Sequence, residues 1–329
     1  MVNIFRKKPI LALAPMAGIT DSAFRQLCRG LGADLVYSEM ISAEGIIYGK
    51  PQDYYDWEKK KWGKLSKTER LAIYESKEKP IILQLFGKNP ENMAIAAAIL
   101  VKKFKPTGID INMGCPAKKV VKSGHGVALM KDPALACEIV KKVKAAVGKK
   151  VLVSVKTRLG FTSKNEILKF APKIEKAGAD FICLHGRTYK QGFSGAVDYD
   201  LIKKVKKKIS IPLIANGGVK TPQQAIDVLR LTRADGLAIG MATWGQPWIF
   251  QEIKKYFSGK IVGRFSWAQV KKVILRHAEL VYKEKGSYGI IELRKHLCWY
   301  VRGQKNAAEL RRKLVRVKTV GQIKNVLDS

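Results

Sequence analysis

The chain has 329 residues, of which 47% are hydrophobic, and its mean hydropathy of −0.11 is that of an ordinary protein with a substantial core. Lys and Arg number 62 against 27 Asp and Glu, which leaves a formal net charge of +35. This surplus favours a polyanionic partner such as nucleic acid, although a generally lysine-rich composition is the alternative explanation. No apolar run approaches the roughly 18 residues that a membrane-spanning helix requires, so no membrane partner is expected.

The five cysteines exclude two kinds of stabilising site. They are scattered, without a C-x-x-C pair or a His at ligand spacing, so we expect neither a bound metal nor a disulfide framework. This usage favours a reducing compartment, and we expect a cytoplasmic monomer. A basic segment that begins at Arg6 precedes the apolar run from Ile10 to Ala14, as in a secretion signal, but Pro15 ends that run early.

Eight short apolar runs, rich in Ile, Leu and Val without strict alternation, are typical of strands covered on both faces. In chain order they are Ile10 to Met16, Ala33 to Met40, Pro80 to Gly87, Gly108 to Cys115, Val151 to Leu159, Ala179 to Gly186, Ile211 to Gly217 and Gly236 to Met241. Helical patterns between them cover Glu91 to Lys103, Pro133 to Val147, Glu166 to Ala177, Tyr199 to Lys208 and Pro222 to Leu231. A strand followed by a helix, repeated eight times, predicts an α/β protein with a (β/α)₈ TIM barrel.

The competing architecture is a doubly wound open sheet. That fold calls for a G-x-G-x-x-G turn after the first strand, where this chain has Ala17-Gly18-Ile19-Thr20. A barrel instead requires polar groups to collect where the strands end. The predicted strand ends carry Met16, Glu39, Gln84, Asn112 with Cys115, Lys156 with Arg158, His185 with Arg187, Asn216 with Gly217 and Gly218, and Gly240.

Two of these strand ends indicate chemistry. Cys115 follows a buried strand at the point where Gly114 and Pro116 break it, so its thiol should face an opening, although a free cysteine is more often a small core residue. The last two strands end in glycine, at Gly217 and Gly240. Loops at these positions of a barrel commonly hold a phosphate, which predicts a phosphate-bearing cofactor, and tight turns are the alternative reading.

Two basic segments lie outside the strand and helix repeat. The connection from Pro51 to Lys79 mixes basic and aromatic residues, as a nucleic-acid contact does, although a solvated lysine-rich loop is equally consistent. These residues are Lys59, Lys60, Lys61, Lys64, Lys67 and Lys77 with Tyr54, Tyr55, Trp57 and Trp62.

The second basic segment is the C-terminus. After a linker from Phe257 to Gly263, helical patterns cover Trp267 to Glu284, Gly289 to Tyr300, Ala307 to Val315 and Val320 to Leu327. Residues 256–329 hold 17 Lys and Arg against 5 Asp and Glu. We therefore predict a catalytic barrel over residues 1–255 and a small basic all-α domain over residues 256–329. Its expected phosphate contacts include Arg294, Lys295 and Arg302, with Arg311, Arg312 and Arg316 as further candidates.

Several motifs together resemble one family. They are Pro15-Met16-Ala17-Gly18-Ile19-Thr20-Asp21, Ser38-Glu39-Met40, Gln84-Leu85-Phe86-Gly87, Asn112-Met113-Gly114-Cys115-Pro116, Lys156-Thr157-Arg158-Leu159-Gly160 and His185-Gly186-Arg187-Thr188. In this order they resemble the tRNA-dihydrouridine synthases, in particular the bacterial B-type branch. The Asn-Met-Gly-Cys-Pro and His-Gly-Arg-Thr motifs are the specific ones, and the basic helical tail resembles that family's tRNA-binding domain.

The resemblance implies an FMN cofactor with NADPH or NADH as reductant, and a tRNA substrate. It implies that Cys115 is the proton donor and that Asn112, Arg158 and Arg187 lie near the uracil or its phosphates. The implied FMN contacts are Pro15, Met16, Ala17, Gln84, Lys156, His185, Asn216, Gly217, Gly218, Gly240 and Met241. Two positions depart from the family pattern, since Gly218 stands where an Asp is usual and Met241 where an Arg is usual. His125 occupies a loop position that is usually small.

The chemistry agrees with this resemblance. Saturating the 5,6 bond of a uracil requires a hydride at one carbon and a proton at the other, hence a two-electron carrier and an acid. The alternatives are a flavin barrel that reduces a free pyrimidine, as a dihydroorotate dehydrogenase does, a noncatalytic RNA-binding barrel, and a phosphate-binding isomerase. The first gives no reason for the basic tail or the net charge, and the last predicts no flavin and an acid or base pair in place of the thiol.

Overall fold

The fold is described from a computed structural model, which describes residues 4–6, 9–56 and 61–329. Eight of its strands form a barrel and two form a separate hairpin. The strands are β1 (Ile10–Leu13), β2 (Leu35–Ser42), β3 (Gln52–Asp56), β4 (Lys61–Leu65), β5 (Ile81–Phe86), β6 (Gly108–Met113), β7 (Leu152–Arg158), β8 (Phe181–His185), β9 (Leu213–Asn216) and β10 (Gly236–Ile239).

The barrel is closed and entirely parallel, in the order β1-β10-β9-β8-β7-β6-β5-β2. The first and last strands close it, with Ile10 paired with Gly236 and Leu13 with Ile239. Almost every strand residue is buried, because one face of the sheet lines the barrel interior and the other lies under the helices. This confirms the predicted TIM barrel, with strands that end one to three residues earlier than predicted in most cases.

The inward side chains change character along the strands. On β7, Leu152, Ser154, Lys156 and Arg158 share the inward face, and they run from apolar through polar to cationic. At the amino-terminal end of the barrel Phe5 packs edge-on against Phe181, with ring centroids 5.3 Å apart. The barrel therefore has a dry end and a polar end, and the polar end is the rim formed by the strand carboxyl termini.

Most helices follow the predicted pattern. Asn89, Asp132 and Thr221 each cap a helix whose first residue is proline. The helices are α1 (Ser22–Gly30), α2 (Ala43–Ile47), α3 (Lys67–Arg70), α4 (Pro90–Phe104), α5 (Lys118–Lys122), α6 (Pro133–Val147), α7 (Ile167–Lys176), α8 (Tyr199–Lys208), α9 (Pro222–Thr232), α10 (Ile249–Phe257), α11 (Trp267–Tyr300), α12 (Ala307–Leu314) and α13 (Val320–Asp328).

The connection after β2 contains the antiparallel hairpin β3–β4, which the sequence patterns did not predict. Arg70 donates a hydrogen bond to the carbonyl of Asp53 at 3.0 Å and so holds the hairpin against α3. Of the predicted nucleic-acid contacts in this segment, Trp57, Lys59 and Lys60 lie outside the described residues. The side chains of residues 54, 55, 61 and 62 are likewise not described.

The two predicted helices at 267–284 and 289–300 are both present and are separated by a kink. Helix α11 spans both and is broken only at Gly286, whose backbone (φ 60°, ψ −149°) is non-helical and suits a residue without a Cβ. The helix also begins with a full capping box, in which Ser266 and Gln269 satisfy each other's backbone N–H.

Helix α11 packs directly against the barrel. His277 and His296 lie 5.4 Å and 4.9 Å from the ring of Phe24 on α1, and Lys285 forms an ion pair of 2.8 Å with Asp21 at the start of α1. Trp299 stacks on Trp244 with ring centroids 4.7 Å apart. The C-terminal helices therefore share an apolar core with the barrel. In the part of the chain that the structure describes, no helix has both the length and the apolar character to cross a membrane.

The buried His277 gives stability a measurable dependence on pH. Burial lowers its pKa from 6.5 to about 4, an effect that the charge of Asp21 only partly offsets. Because the unfolded chain binds this proton more readily, the contribution of His277 is complete above pH 6.5 and declines as the pH falls towards 4. We expect the stability difference between wild type and His277→Gln to shrink by about 2 kcal/mol between pH 7.5 and pH 5 in urea unfolding.

The matched control is Val270→Ala, which removes buried apolar volume from the same helix without a titrating group. Its stability difference from wild type should stay constant over this pH range. A His277→Gln difference that is equally constant would contradict the assigned protonation.

Candidate active site

Cys115 lies just beyond the end of β6, in a turn built by Asn112. The Asn112 carboxamide oxygen accepts hydrogen bonds from the backbone N–H groups of Gly114 at 3.1 Å and Cys115 at 2.9 Å. From the other side, the N–H of Val127 donates to the Cys115 carbonyl at 3.3 Å. The thiol is free and only half-buried, so the turn presents it at the rim, as the sequence predicted.

The loop that follows packs tightly on this turn because Gly126 has no side chain. A Cβ on Gly126 would lie 2.9 Å from the Cys115 carbonyl oxygen, and its φ of +62° also favours glycine. His125, one residue earlier, lies with Nδ1 2.7 Å from the Ser123 hydroxyl and edge-on to Phe86 at 5.9 Å. His125 thus contacts its own loop through Ser123 and the end of β5 through Phe86.

Arg158, at the end of β7, joins three loops of the rim. Its guanidinium donates to the carbonyls of Gly114 at 2.8 Å, Gly192 at 2.7 Å and Thr188 at 3.2 Å, and the side chain is 2% exposed. Burial lowers its pKa to about 10, so it stays charged at neutral pH. The resemblance implies that Arg158 lies near the substrate, and the geometry adds that its Nε and Nη1 groups donate to backbone carbonyls, one of which is that of Gly114 beside Cys115.

His185 and Arg187 lie at the end of β8. Burial, together with the charges of Lys156, Arg158 and Arg187, lowers the pKa of His185 to about 2, so the imidazole is neutral. Arg187 places Nη1 3.3 Å from His185 Nε2 and donates through Nε to the carbonyl of Gly195 at 3.0 Å. His185 therefore offers the rim an uncharged ring surrounded by cations.

The ends of β7 and β9 are joined by a hydrogen bond. Lys156 donates from Nζ to the Asn216 side-chain oxygen at 3.1 Å, and Asn216 in turn donates to the carbonyl of Ala238 at 2.7 Å. The ammonium has three N–H donors, of which Asn216 takes one. Lys156 is half-buried and places a positive charge just inside the rim.

The glycines after β9 are required by close neighbours. Gly217 has a φ of +105°, and a Cβ there would lie 2.7 Å from the His185 ring. Gly218 has a φ of +83°, and a Cβ there would lie 2.1 Å from the hydroxyl of Tyr199. At the next strand end Gly240 precedes Met241, whose side chain is 50% exposed. At Gly217 and Gly218 the chain therefore passes too close to His185 and Tyr199 to carry a Cβ.

Strand β1 ends beside β10, which brings the first motif to the glycine turns. A Cβ on Gly240 would lie 3.5 Å from the sulfur of Met16. The Met16 carbonyl accepts the N–H groups of Ile19 and Thr20 at 3.0 Å, which folds the chain into a turn with Pro15 and Met16 half-buried and Ala17 exposed.

Gln84 lies deeper than the other predicted site residues. It is 1% exposed, donates to Asp110 at 2.7 Å and accepts from Asn112 at 3.1 Å. Sequence reasoning missed Asp110 and its partner Ser154. The available signal was a charged residue between Ile109 and Ile111 in an otherwise apolar strand, because a buried carboxylate requires partners.

The three C-terminal candidates lie in different environments. Arg294 donates to the carbonyls of Val317, at 2.8 Å and 3.0 Å, and Arg316, at 3.3 Å, so it holds the loop between α12 and α13. Lys295 is exposed and donates to the carbonyl of Gly18 on the β1–α1 turn. Arg302 is exposed beyond the end of α11.

A cleft of about 570 Å³ separates α11 from the β1–α1 turn and the hairpin side of the barrel. Its lining is strongly charged and includes Asp21, Arg25, Glu39, Arg70, Glu284, Lys285 and Lys295. Burial raises the pKa of Glu39, whose carboxylate accepts the backbone N–H of Gly18. Sequence reasoning missed this cleft because residues more than 200 positions apart form its two walls.

No group of three His, Cys, Asp or Glu side chains within residues 4–6, 9–56 and 61–329 is arranged to hold a metal ion. The site is instead a thiol, a neutral imidazole, several cations and glycine turns on one rim of a parallel barrel. These features define a barrel enzyme of the kind that binds a phosphorylated ligand at the carboxyl ends of its strands.

Comparison with known proteins names the family. The family model described as Dihydrouridine synthase (Dus) matches residues 12–329. A tRNA-dihydrouridine synthase B of Vibrio parahaemolyticus is 40% identical over 314 residues, which cover 94% of this chain and 92% of that protein. A probable tRNA-dihydrouridine synthase of Aquifex aeolicus is 34% identical, covering 96% of this chain and 94% of its own. The chain belongs to the dihydrouridine synthase family.

Solved structures agree on the fold. The old yellow enzyme homologue from Zymomonas mobilis superposes with a TM-score of 0.51 at 14% identity, over 79% of this chain and 91% of that one. Morphinone reductase superposes with a TM-score of 0.50 at 12% identity, over 81% of this chain and 90% of its own. At this identity the likeness concerns the barrel alone.

The two arginines of the rim should differ in their effect on stability. Arg158→Met removes the buried cation that serves one buried and two partly buried carbonyls, so we expect the free energy of unfolding to fall by roughly 3 kcal/mol. Arg187→Met removes a contact to one carbonyl from a half-buried side chain and serves as the matched control, with an expected loss of about 1 kcal/mol. Urea denaturation measures both, and equal losses would contradict the role given to Arg158.

Proposed function

We propose that this protein reduces the 5,6 double bond of uridines in tRNA to 5,6-dihydrouridine, with a hydride from FMN and a proton from Cys115. The observation that carries the proposal is the half-buried Cys115 thiol at the end of β6, on the same rim as Lys156, His185 and the glycine turns, in a chain of this family. A thiol can serve as a general acid, which suits it to this step.

The residues on the rim fit FMN. Gly217 and Gly218 form a cradle in which any Cβ would meet His185 or Tyr199, and Gly240 adds a further turn for the phosphate. Lys156 and Gln84 would hydrogen-bond the ring, the neutral His185 would pack beside it, and Pro15, Met16 and Ala17 would line it. Asn216 and Met241 would complete the ribityl and phosphate side. When bound, FMN supplies the hydride, with NADPH or NADH as its reductant.

The chain's own groups supply the rest of the reaction. The uracil gains a hydride at C6 and a proton at C5, and the C5 proton comes from the Cys115 sulfur. Lys156 stabilises negative charge that develops on the pyrimidine oxygens, because its ammonium has donors beyond the bond to Asn216. Asn112 and Arg158 act on the reaction by fixing the Cys115 turn, and Arg187 retains the implied role beside the substrate.

The positive charge supports a folded RNA as substrate. We assign tRNA binding to residues 256–329 and catalysis to residues 1–255. Lys295 contacts the β1–α1 turn, so the basic helix α11 lies beside the rim, where a base has to leave its stack to react. We further propose that the protein acts as a monomer in the cytoplasm, which suits its five free cysteines.

Cys115→Ala tests the proton donor. We expect this variant to bind FMN and tRNA normally and to accept hydride from NADPH at the wild-type rate, but to form dihydrouridine at least about 100-fold more slowly, since the acid is gone. Mass spectrometry of unmodified tRNA transcripts after reaction measures the product.

The control is Cys137→Ala, which removes another half-buried thiol, on α6, whose sulfur lies 3.5 Å from the carbonyl of Lys173. It should react like wild type. Full activity in Cys115→Ala would refute the donor assignment, and turnover of free uridine by wild type would favour the free-pyrimidine reductase instead.

Charge removal tests the RNA-binding surface without uncovering the core that α11 shares with the barrel. Lys295→Gln with Arg302→Gln removes two exposed cations, so we expect tRNA affinity to fall about tenfold or more and the slope of log K against log salt to become shallower by about 2. Filter binding over a range of salt concentrations measures both quantities.

Lys207→Gln with Lys208→Gln is the matched control, because it makes the same change in net charge at the end of α8, on the opposite face of the barrel. Equal losses in the two double variants would show that only overall charge matters.

A further inference from the structure

Below the rim, three neighbouring strands carry polar side chains at one level of the barrel interior. Gln84 on β5 is the register partner of Asp110 on β6, and Asp110 is the register partner of Ser154 on β7. Gln84 is 1% exposed, and Asp110 and Ser154 are fully buried. Asn112 stands two residues beyond Asp110 on the same face of β6, one level closer to the rim.

These side chains form a continuous chain of hydrogen bonds that ends at Cys115. Ser154 donates to one Asp110 oxygen at 2.5 Å, and Gln84 donates to the other at 2.7 Å. Asn112 donates to the Gln84 oxygen at 3.1 Å and accepts the backbone N–H of Cys115 at 2.9 Å. A buried carboxyl is thus linked through two carboxamides to the turn that presents the thiol.

Which group donates and which accepts in each of these hydrogen bonds depends on the groups at the two ends of the series. The oxygen and nitrogen of a carboxamide have nearly the same shape, so partners decide which way it points. In its ionised form the Asp110 carboxylate only accepts, so Gln84 then offers its NH₂ to Asp110 and its oxygen to Asn112, as the structure shows. Asn112 then offers its NH₂ to Gln84 and its oxygen to the backbone N–H groups of Gly114 and Cys115.

We propose that Asp110 is a positioning residue of the active site, which fixes the orientation of Gln84 and Asn112 and thereby the turn that holds Cys115. Its importance for dihydrouridine formation rests on the function proposed above, whereas its effect on the turn does not. Asp110 itself lies below the rim and contacts neither Cys115 nor the substrate.

The electrostatics support this arrangement. Burial raises the pKa of Asp110 to about 7, while the hydrogen bonds from Ser154 and Gln84 and the charge of Lys156 oppose the rise. The neighbouring Cys183 thiol has its pKa raised to about 12 by burial, so it remains neutral beside the carboxyl. A buried carboxyl is costly unless it is hydrogen-bonded, and here Ser154 and Gln84 each satisfy one of its oxygens.

Two substitutions of Asp110 separate hydrogen bonding from charge. Asp110→Asn can accept from Gln84 through its oxygen and donate to the Ser154 hydroxyl through its nitrogen, so it keeps the direction of the chain. Asp110→Val keeps a strand-forming side chain of similar size without any acceptor. Ser154→Ala is the matched control, because it removes the other contact of the same carboxyl and leaves Gln84 in place.

The measurements are kcat and KM for tRNA, and the rate at which iodoacetamide alkylates Cys115, resolved by peptide mass spectrometry with the Cys137 peptide as internal reference. For Asp110→Val we expect kcat to fall by about tenfold while KM is unchanged. We also expect iodoacetamide to alkylate Cys115 several-fold faster, because the turn is no longer held in place. Asp110→Asn and Ser154→Ala should both stay within about twofold of wild type.

If Asp110→Val does not fold, Gln84→Met interrupts the same series of hydrogen bonds between Asp110 and Asn112. It should accelerate alkylation of Cys115 in the same way. The proposal is overturned if these variants alkylate Cys115 at the wild-type rate, if Ser154→Ala matches Asp110→Val, or if Asp110→Asn is as slow as Asp110→Val. A wild-type protein that forms no dihydrouridine would instead overturn the proposed function, and the alkylation comparison would still decide the role of Asp110.

Discussion

The closure of eight parallel strands is the constraint on which the rest of the structure depends. Strand β1 completes the ring by pairing with β10, and Gly236 permits this, since a Cβ there would lie 2.5 Å from the Ile10 carbonyl oxygen. Because the strands are parallel, every carboxyl end faces one rim. Closure thereby brings Met16 beside Gly240, and it places Cys115, Lys156 and His185 around one opening.

Polarity rises towards that rim along the inward face. At the amino-terminal end of the barrel Phe5 packs on Phe181, and the buried polar side chains Gln84, Asp110 and Ser154 follow on neighbouring strands, where Ser154 is the register partner of Phe181. At the rim, burial among cations keeps His185 neutral, while Arg158 remains charged and is satisfied by backbone carbonyls. Asn112 and Arg158 both hydrogen-bond the backbone of the turn that carries Cys115.

The basic C-terminal helices combine two physical roles on opposite faces. Their apolar face joins the core of the barrel through His277, His296 and Trp299, and Lys285 pairs with Asp21 at the start of α1. Their exposed face carries cations such as Arg302 and Arg312. The kink at Gly286 lies next to the Lys285 ion pair, so one helix both follows the barrel surface and reaches the β1–α1 turn through Lys295.

The sequence by itself determined the repeat of strands and helices, the capped helix starts, the rim position of Cys115 and the family, because each of these depends on local periodicity or on contiguous motifs. Only the tertiary structure decided which polar residues meet. That Arg158 serves three carbonyls, that Asp110 reaches Cys115 through Gln84 and Asn112, and that α11 and the β1–α1 turn enclose a charged cleft all depend on strand register and on packing between distant segments. The spacing of residues along the sequence does not predict such contacts, since they form only when the barrel closes and α11 packs against it.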